Sequence, residues 1–473
     1  MKLGGYLTVL WVLLPVTALA NPAFDDVFTG KTLRLDYFHT GTSEFEHISL
    51  DRARVEGPWP GSRTQLLDDT NLGKYRFEVV DVASNQVIYS RGFASIYGEW
   101  ETIGEAADGI VRTIPEAVRF PEPQRPVQVR LYKRGGDQLF REIWTTHIDP
   151  SSRFVQRASV AKPRVGAILE NGDPSSKVDL VILGDGYREA EMGKYHQDAA
   201  LAADDLFSHE PFASRKDDFN VWTVDSPAAE SGISRPRSGL FRETPLGASY
   251  NSFDSERYIL SLDDRAWRDV AAAAPYDFAL MLVNSEKYGG GGIFNLYSTA
   301  AVDSGFRRYL VVHEFGHHFA GLGDEYYTSS VAYEDFHGER VEPWEPNVTA
   351  LLDPDRLKWV DLVENDTPLP TPWKKVEFEE YSLGYQEKRG RLRSEGVPEK
   401  EMEALFREAQ TRFTEMLGAE EYAGRVGAFE GASYQATGLY RPQADCIMFT
   451  RDEVGFCQVC SRAIERVIDL YSE

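Results

Sequence analysis

Two histidines four positions apart, with a glutamate directly after the first, are the residues best suited to chemistry. They are His313, Glu314 and His317. On an α-helix, residues i and i+4 lie on one face about one turn apart, so two imidazoles can bind one metal ion. Glu314 then lies beside that ion, where its carboxylate can take a proton from water. The pattern predicts a Zn²⁺ site for hydrolysis, with two histidine ligands and Glu314 as the general base.

The metal needs a third protein ligand, and the spacing favours Asp324. Gly321 is expected to end the helix in the left-handed conformation, so that the chain turns back and Asp324 reaches the same ion. Carboxylate oxygen is an acceptable zinc ligand beside two nitrogens. His318 lies about 100° round the helix from His317 and is expected to face elsewhere. The competing third ligands are other carboxylates that follow the helix: Glu325, Glu334, Glu339 and Glu342.

The predicted metal-binding helix begins near Asp303 or Ser304, since either residue could cap it. Before it, short apolar strands alternate with helical stretches, which indicates an α/β layer. The strands are predicted at 178–183, 219–224 and 278–283. The glycine-rich stretch 287–297 is predicted to turn into an edge strand that faces the cleft, because an extended peptide can add to such an edge.

Residues 21–155 are predicted to form an N-terminal β-sandwich, since they contain period-two strands and little helical periodicity. A proline-containing linker follows, and the catalytic domain is expected over 165–473. Within that domain, residues 385–423 are highly charged with helical spacing and predict a helical insertion. The predicted fold class is therefore α+β, with a β-sandwich before an α/β catalytic domain.

The composition limits the classes of partner that the chain can bind. The chain has 473 residues and a net charge of −24, which argues against nucleic acid or an anionic membrane. Residues 1–20 carry Lys2, a short apolar run and a small-x-small site, so we expect a cleaved signal peptide and a secreted or periplasmic protein. No later stretch is apolar enough to cross a membrane.

An oxidising compartment makes the three cysteines informative: they are Cys446, Cys457 and Cys460. We expect one local disulfide that involves Cys446. The alternative is a zinc knot that lacks its fourth ligand, because no histidine lies nearby in the sequence. The pairing stays open at this point.

Several separate stretches together resemble the IgA-peptidase family of secreted zinc metallopeptidases, and the N-terminal part is similar to the domain that precedes the catalytic unit in many members. The stretches, which span most of the chain, are 183–187, 287–292, 313–327, 342–347, 440–448 and 456–460. The resemblance implies a metzincin-like zincin fold and a protein or peptide substrate. It does not imply that immunoglobulin A is the substrate.

Two details of the metzincin pattern bear on single residues. In metzincins the third ligand is a histidine three residues after the helix-ending glycine; here it is Asp324, and Gly321 comes one position later than usual. A methionine in a turn beneath the metal is the other hallmark, and Met448 is the candidate. A tyrosine hydroxyl is expected to assist at the oxyanion, with Tyr434 and Tyr440 as candidates.

The chain is therefore predicted to be a zinc-dependent endopeptidase. Two alternatives stay open: a non-catalytic binding protein that keeps the fold, and a zinc amidase that acts on a non-protein amide. The first requires a lost base or ligand, whereas Glu314, His313 and His317 are all present.

Overall fold

The structure is a computed structural model that describes residues 23–158, 163–328, 341–452 and 454–472. The predicted signal peptide, residues 1–20, lies outside the described residues. So do two of the candidate ligands, Glu334 and Glu339.

The first described range is made of β-strands and three short helices. In chain order its elements are α1 (Phe24–Val27), β1 (Phe28–Gly41), β2 (Glu46–Pro58), β3 (Tyr75–Asp81), β4 (Gln86–Phe93), α2 (Ile96–Trp100), α3 (Gly104–Ala107), β5 (Arg112–Pro123), β6 (Val127–Arg134), β7 (Phe140–Ile148) and β8 (Val155–Gln156).

These strands form two four-stranded sheets, with the orders β5-β1-β2-β8 and β4-β3-β6-β7. Leu33, Leu35 and Tyr37 of β1 point inward at every second position and share a core with Phe77 and Val79 of β3. Two sheets packed over one apolar core constitute a β-sandwich, so that prediction is confirmed.

The remaining ranges contain alternating strands and helices. In chain order the elements are β9 (Val165–Leu169), β10 (Val178–Asp185), α4 (Met192–Leu206), β11 (Phe219–Val224), β12 (Ala248–Ser249), β13 (Leu260–Ser261), α5 (Asp264–Ala271), β14 (Phe278–Val283), β15 (Gly290–Ile293), β16 (Tyr297–Ala301), α6 (Arg307–Ala320), α7 (Lys375–Ser394), α8 (Glu399–Gly418), β17 (Phe429–Ala432), β18 (Gln435–Arg441) and α9 (Gln458–Ser472).

A six-stranded sheet of order β15-β16-β14-β10-β11-β9 organises this part. Its four central strands are parallel, whereas β15 and β9 run antiparallel to their neighbours. Strand β10 is buried along its whole length, as its continuous apolar sequence predicts. Leu180 and Ile182 face a core that includes α4, α6 and α9, while Val181 and Leu183 face a second core on the other side. The predicted α/β layer is confirmed.

The helix predicted to bind the metal begins later than expected. Helix α6 starts at Arg307, and Ser304 instead accepts a hydrogen bond from the Phe306 amide at 3.3 Å within the preceding turn. Its end agrees with the prediction, because Gly321 has φ 62° and ψ 31° and so terminates the helix in the left-handed conformation. The charged region that predicted a helical insertion contains most of the helix pair α7 and α8.

Candidate metal centre

Helix α6 places His313 and His317 side by side. Their Nε2 atoms lie 3.1 Å apart, at the wall of a cleft of about 410 Å³. His313 is buried and His317 is partly exposed to the cleft. The i, i+4 spacing therefore produces two imidazoles that face one point.

Each ring is oriented by its other nitrogen. His313 Nδ1 lies 2.9 Å from the carbonyl oxygen of Ile447, and His317 Nδ1 lies 2.5 Å from that of Leu322. A carbonyl oxygen can only accept a hydrogen bond, so each Nδ1 must carry the proton. Each Nε2 is then left with a free lone pair for a metal, which is the usual arrangement of ligating histidines.

Asp324 completes a triangle of donor atoms. After Gly321 the chain turns back, and Asp324 Oδ1 lies 3.2 Å from both Nε2 atoms. This oxygen is buried and has no hydrogen-bond partner among the described residues. In a tetrahedral site with zinc–ligand bonds of about 2.0–2.1 Å, the ligand atoms are separated by about 3.3 Å. The three residues therefore fit a metal ion at their common centre.

The other candidate ligands that the structure describes lie elsewhere. Glu325 is fully buried on the opposite side of the loop, where its Oε1 accepts a hydrogen bond from Asn347 at 2.9 Å. Glu342 accepts from the Ala350 amide and pairs with Lys358. Neither carboxylate is among the residues that approach the two Nε2 atoms.

His318 faces away from the cleft, as its position on the helix predicts. Its ring packs against Phe278 and Phe315, and neither nitrogen has a hydrogen-bond partner in the described part of the chain. Burial, together with the charge of Arg268, lowers the pKa of His318 to about 3. It is a neutral core residue.

Glu314 lies against strand β15. One of its carboxylate oxygens lies within 4.8 Å of a ring nitrogen of each histidine. A Cβ atom on Gly290 would lie 3.1 Å from Glu314 Oε1, so the glycine leaves room for the carboxylate. Burial raises the pKa of Glu314.

Met448 lies beneath the helix. It is fully buried, and a Cβ atom on Gly316 would be 3.2 Å from its sulfur. The Met448 carbonyl accepts a hydrogen bond from the Glu325 amide at 2.9 Å. The turn that contains Ile447 and Met448 thus contacts both the first histidine and the loop that carries Asp324.

Of the two tyrosine candidates, the structure brings Tyr434 to the site. The Tyr434 hydroxyl donates to Asp324 Oδ2, and the residue lines the cleft. Tyr440 lies further along β18, where its backbone pairs with Thr349, and it is not among the described residues that line the cleft. Tyr434 lies at a tight hairpin tip, a placement that strand periodicity alone does not reveal.

The N-terminal part forms one wall of the cleft. The side chains that it contributes include Lys74, Ser95, Glu99, Thr102 and Arg134. Across the cleft lies Arg257, whose guanidinium donates to the Tyr326 hydroxyl at 3.0 Å. No local sequence pattern connects these residues with the histidines, so only the fold reveals them.

An imidazole pair, a carboxylate and a buried glutamate at the edge of a mixed sheet form a centre of the kind that metallopeptidases use. The family comparison agrees: the model of IgA Peptidase M64 matches residues 167–468, and that of the Peptidase M64 N-terminus matches residues 23–145. The chain belongs to the IgA Peptidase M64 family, as its sequence resemblance predicts. It is therefore a metallopeptidase, a hydrolase whose substrate is a protein or peptide. No curated protein matches the chain.

Proposed function

We propose that the protein is a zinc-dependent metalloendopeptidase in which His313, His317 and Asp324 hold the metal ion. The observation that carries this proposal is the convergence of two Nε2 atoms and one unpartnered carboxylate oxygen at mutual distances of 3.1–3.2 Å. When bound, zinc supplies Lewis-acid chemistry, lowering the pKa of water to about 7 and stabilising negative charge on the substrate oxygen.

Glu314 is the general base in this proposal. It takes a proton from the attacking water and later passes that proton to the leaving amine. Its burial supports the role of base, since a carboxylate with a raised pKa takes a proton from water more readily than an exposed one. Tyr434 holds Asp324 from the side opposite the histidines and faces the same cleft.

Strand β15 offers a place for the substrate main chain. The amide and carbonyl of Gly290 already bond outside the sheet, to Arg257 O and Ile259 N at 3.1 and 3.2 Å. Two residues further, Gly292 presents its backbone groups on the same side and lines the cleft. An extended peptide paired at Gly292 lies beside His317, which favours cleavage within a chain.

We also propose that the protein is exported. The support is the pattern of residues 1–20, with a basic start, an apolar run and a small-x-small site. Within the ranges that the structure describes, no helix has both the length and the apolar character needed to cross a bilayer. The amino-terminal sequence of the protein recovered outside the cytoplasm tests this proposal; a chain that still begins at Met1 contradicts it.

Replacement of Glu314 by glutamine tests the mechanism. Glu314→Gln keeps all three proposed ligands, so zinc content is expected to stay at the wild-type level while peptide cleavage falls by about 10²–10⁴-fold. His317→Ala is the matched comparison, because it is expected to lose both zinc and activity. The measurements are zinc per chain and cleavage of a peptide library, with and without chelator.

Two results would contradict the proposal. Wild-type cleavage by Glu314→Gln would remove the glutamate from the mechanism. A zinc-loaded wild-type protein that cleaves no peptide would instead favour a binding protein or an amidase for another substrate.

A further inference from the structure

The structure contains a second group of metal-type ligands, separate from the three that face the cleft. Cys446, Cys457, Cys460 and Glu325 are all buried, and one donor atom from each lies within 4.8 Å of the others. The expected disulfide that involves Cys446 is wrong in this structure, where all three thiols are free. The fourth member of the group is a glutamate and not a histidine, and the fold brings Glu325 to the cysteines from a distant part of the sequence.

The distances suit a tetrahedral metal site. The sulfurs of Cys446 and Cys460 are 3.9 Å apart, well beyond the 2.05 Å or so of a disulfide bond. Zinc–sulfur bonds of about 2.3 Å in a tetrahedron separate two sulfurs by about 3.8 Å, and a sulfur from a carboxylate oxygen by about 3.5 Å. The Cys460 sulfur lies 3.4 Å from Glu325 Oε1.

Backbone amides point at the sulfurs, as they do around metal-bound thiolates. Cys446 Sγ accepts from the amides of Met448 and Cys457, at 3.5 and 3.3 Å. Cys457 Sγ accepts from the Cys460 amide at 3.4 Å, across the first turn of α9. Such donors stabilise the negative charge that a thiolate carries when it binds a metal.

Glu325 supplies the independent sign that something is to be bound. Its side chain has no exposed surface, and its Oε2 has no hydrogen-bond partner among the described residues. A buried carboxylate oxygen without a partner is costly, whereas a metal ligand is not. Asn347 fixes the other oxygen with a bond of 2.9 Å, as a supporting residue does for a ligating carboxylate.

We propose that Cys446, Cys457, Cys460 and Glu325 form a closed structural site for a thiophilic divalent cation, with zinc as the best match. Three thiolates and one carboxylate leave no open position, so this site is structural and does not act on substrate. It joins three segments: the loop after α6, the turn before Met448 and the start of α9. The proposal stands independently of the proposed function.

The loop after α6 connects the cysteine site with the histidine site. Glu325 directly follows Asp324, and its amide donates to the carbonyl of Met448. A cation bound to Glu325 on one side of the loop fixes the backbone that presents Asp324 on the other side. We therefore expect loss of the structural metal to weaken metal binding at the histidines.

Metal content and cobalt spectra of the full chain test the proposal. The wild-type protein is expected to bind two zinc ions per chain. After replacement of zinc by Co²⁺, a thiolate-to-cobalt charge-transfer band is expected in the near ultraviolet. His317→Ala is expected to lose one metal ion and keep this band, so failure of the histidine site is seen separately. Cys457→Ser/Cys460→Ser is expected to lose the band.

Because the cysteine variant can fail to fold, two further measurements do not depend on it. Glu325→Gln is isosteric and keeps an oxygen for Asn347, and it is expected to release the second zinc to a weaker chelator than wild type does. Thiol counting of unfolded wild-type protein in chelator is expected to give three reactive thiols. A single reactive thiol, or a cobalt protein without a thiolate band, would overturn the proposal.

Discussion

The donor triangle depends on bonds made by atoms that face away from its centre. Both histidines donate from Nδ1 to backbone carbonyls, and Asp324 accepts from the Tyr434 hydroxyl through Oδ2. Asp324 Oδ1 is left to face the two imidazole Nε2 atoms at 3.2 Å. The direction of each donor atom is thus set by the bonds that its neighbours make.

Removal of the Tyr434 hydroxyl is therefore expected to weaken the site. Tyr434→Phe leaves Asp324 Oδ2 without its donor, and loss of such a supporting bond commonly lowers metal affinity or activity by about 10–100-fold. Zinc affinity from chelator competition, and kcat/KM on a peptide substrate, measure the effect.

Tyr440→Phe is the matched control on the same hairpin. Tyr440 lies outside the cleft, and its contact with Thr349 is made by the backbone, so this variant is expected to keep wild-type affinity and activity. A loss of zinc affinity or activity in Tyr440→Phe, with none in Tyr434→Phe, would instead indicate that Tyr440 is the assisting tyrosine.

Two short elements hold the cleft residues against α6. At the tip of the β17–β18 hairpin, Ser433 and Tyr434 both have positive φ, 46° and 64°. Non-glycine residues in this region cost about 1–3 kcal/mol each, and their amides offset the cost by donating to Asp324 O and Tyr326 O. On the other side of the helix, the glycines of β15 let the sheet approach Glu314 and His317.

Gly292 is the tightest of these contacts. A Cβ atom there would lie 2.2 Å from the carbonyl oxygen of Glu314 and 2.9 Å from His317 Cβ. Gly292→Ala is therefore expected to displace α6 from β15, with a loss of kcat/KM of at least about tenfold and a lower Tm. Thermal unfolding and peptide cleavage measure both effects.

Gly390→Ala provides the comparison. Gly390 is exposed on α7 and would meet nothing within 4 Å. Alanine there is expected to leave cleavage unchanged and to stabilise the protein by about 0.5–1 kcal/mol, through helix propensity. If Gly292→Ala behaves like Gly390→Ala, the close packing of β15 on the helix is not required for activity.

Sequence alone predicts the parts of this site that a local pattern encodes. The spacing of His313 and His317 gives the shared helix face, and Gly321 gives the turn that returns Asp324. The remaining contacts join distant positions: His313 and Ile447 are 134 residues apart, and Glu325 and Cys460 are 135 apart. No periodicity relates such pairs, so the carbonyl that orients His313 and the fourth member of the cysteine group emerge only from the fold.

At the scale of the whole molecule, the N-terminal part covers one face of the six-stranded sheet. Val181 and Leu183 of β10 share a core with Trp100 and Tyr97 of α2, and with Trp267 of α5. Polar contacts reinforce this interface. They include the pairing of Arg34 and Arg54 with Asp269, and the 2.9 Å bond from the Ala94 amide to Phe294 O. The N-terminal part is thus packed firmly against the sheet and supplies one wall of the cleft.

A chain that begins at residue 163 is therefore expected not to fold. It exposes the apolar face of β10 and β14, which α5 alone does not cover, and it also loses the cleft wall that contains Glu99 and Arg134. Fully burying each large apolar side chain contributes about 1.5–3 kcal/mol, so several such losses exceed the stability of an ordinary domain. Soluble yield, cooperative thermal unfolding and peptide cleavage, compared with the full chain from the same host, measure the outcome.

Addition of separately produced residues 23–158 is expected to restore part of the activity. A soluble truncated chain that unfolds cooperatively and cleaves peptides with the kcat/KM of the full chain would show that the N-terminal part is dispensable for both fold and cleft.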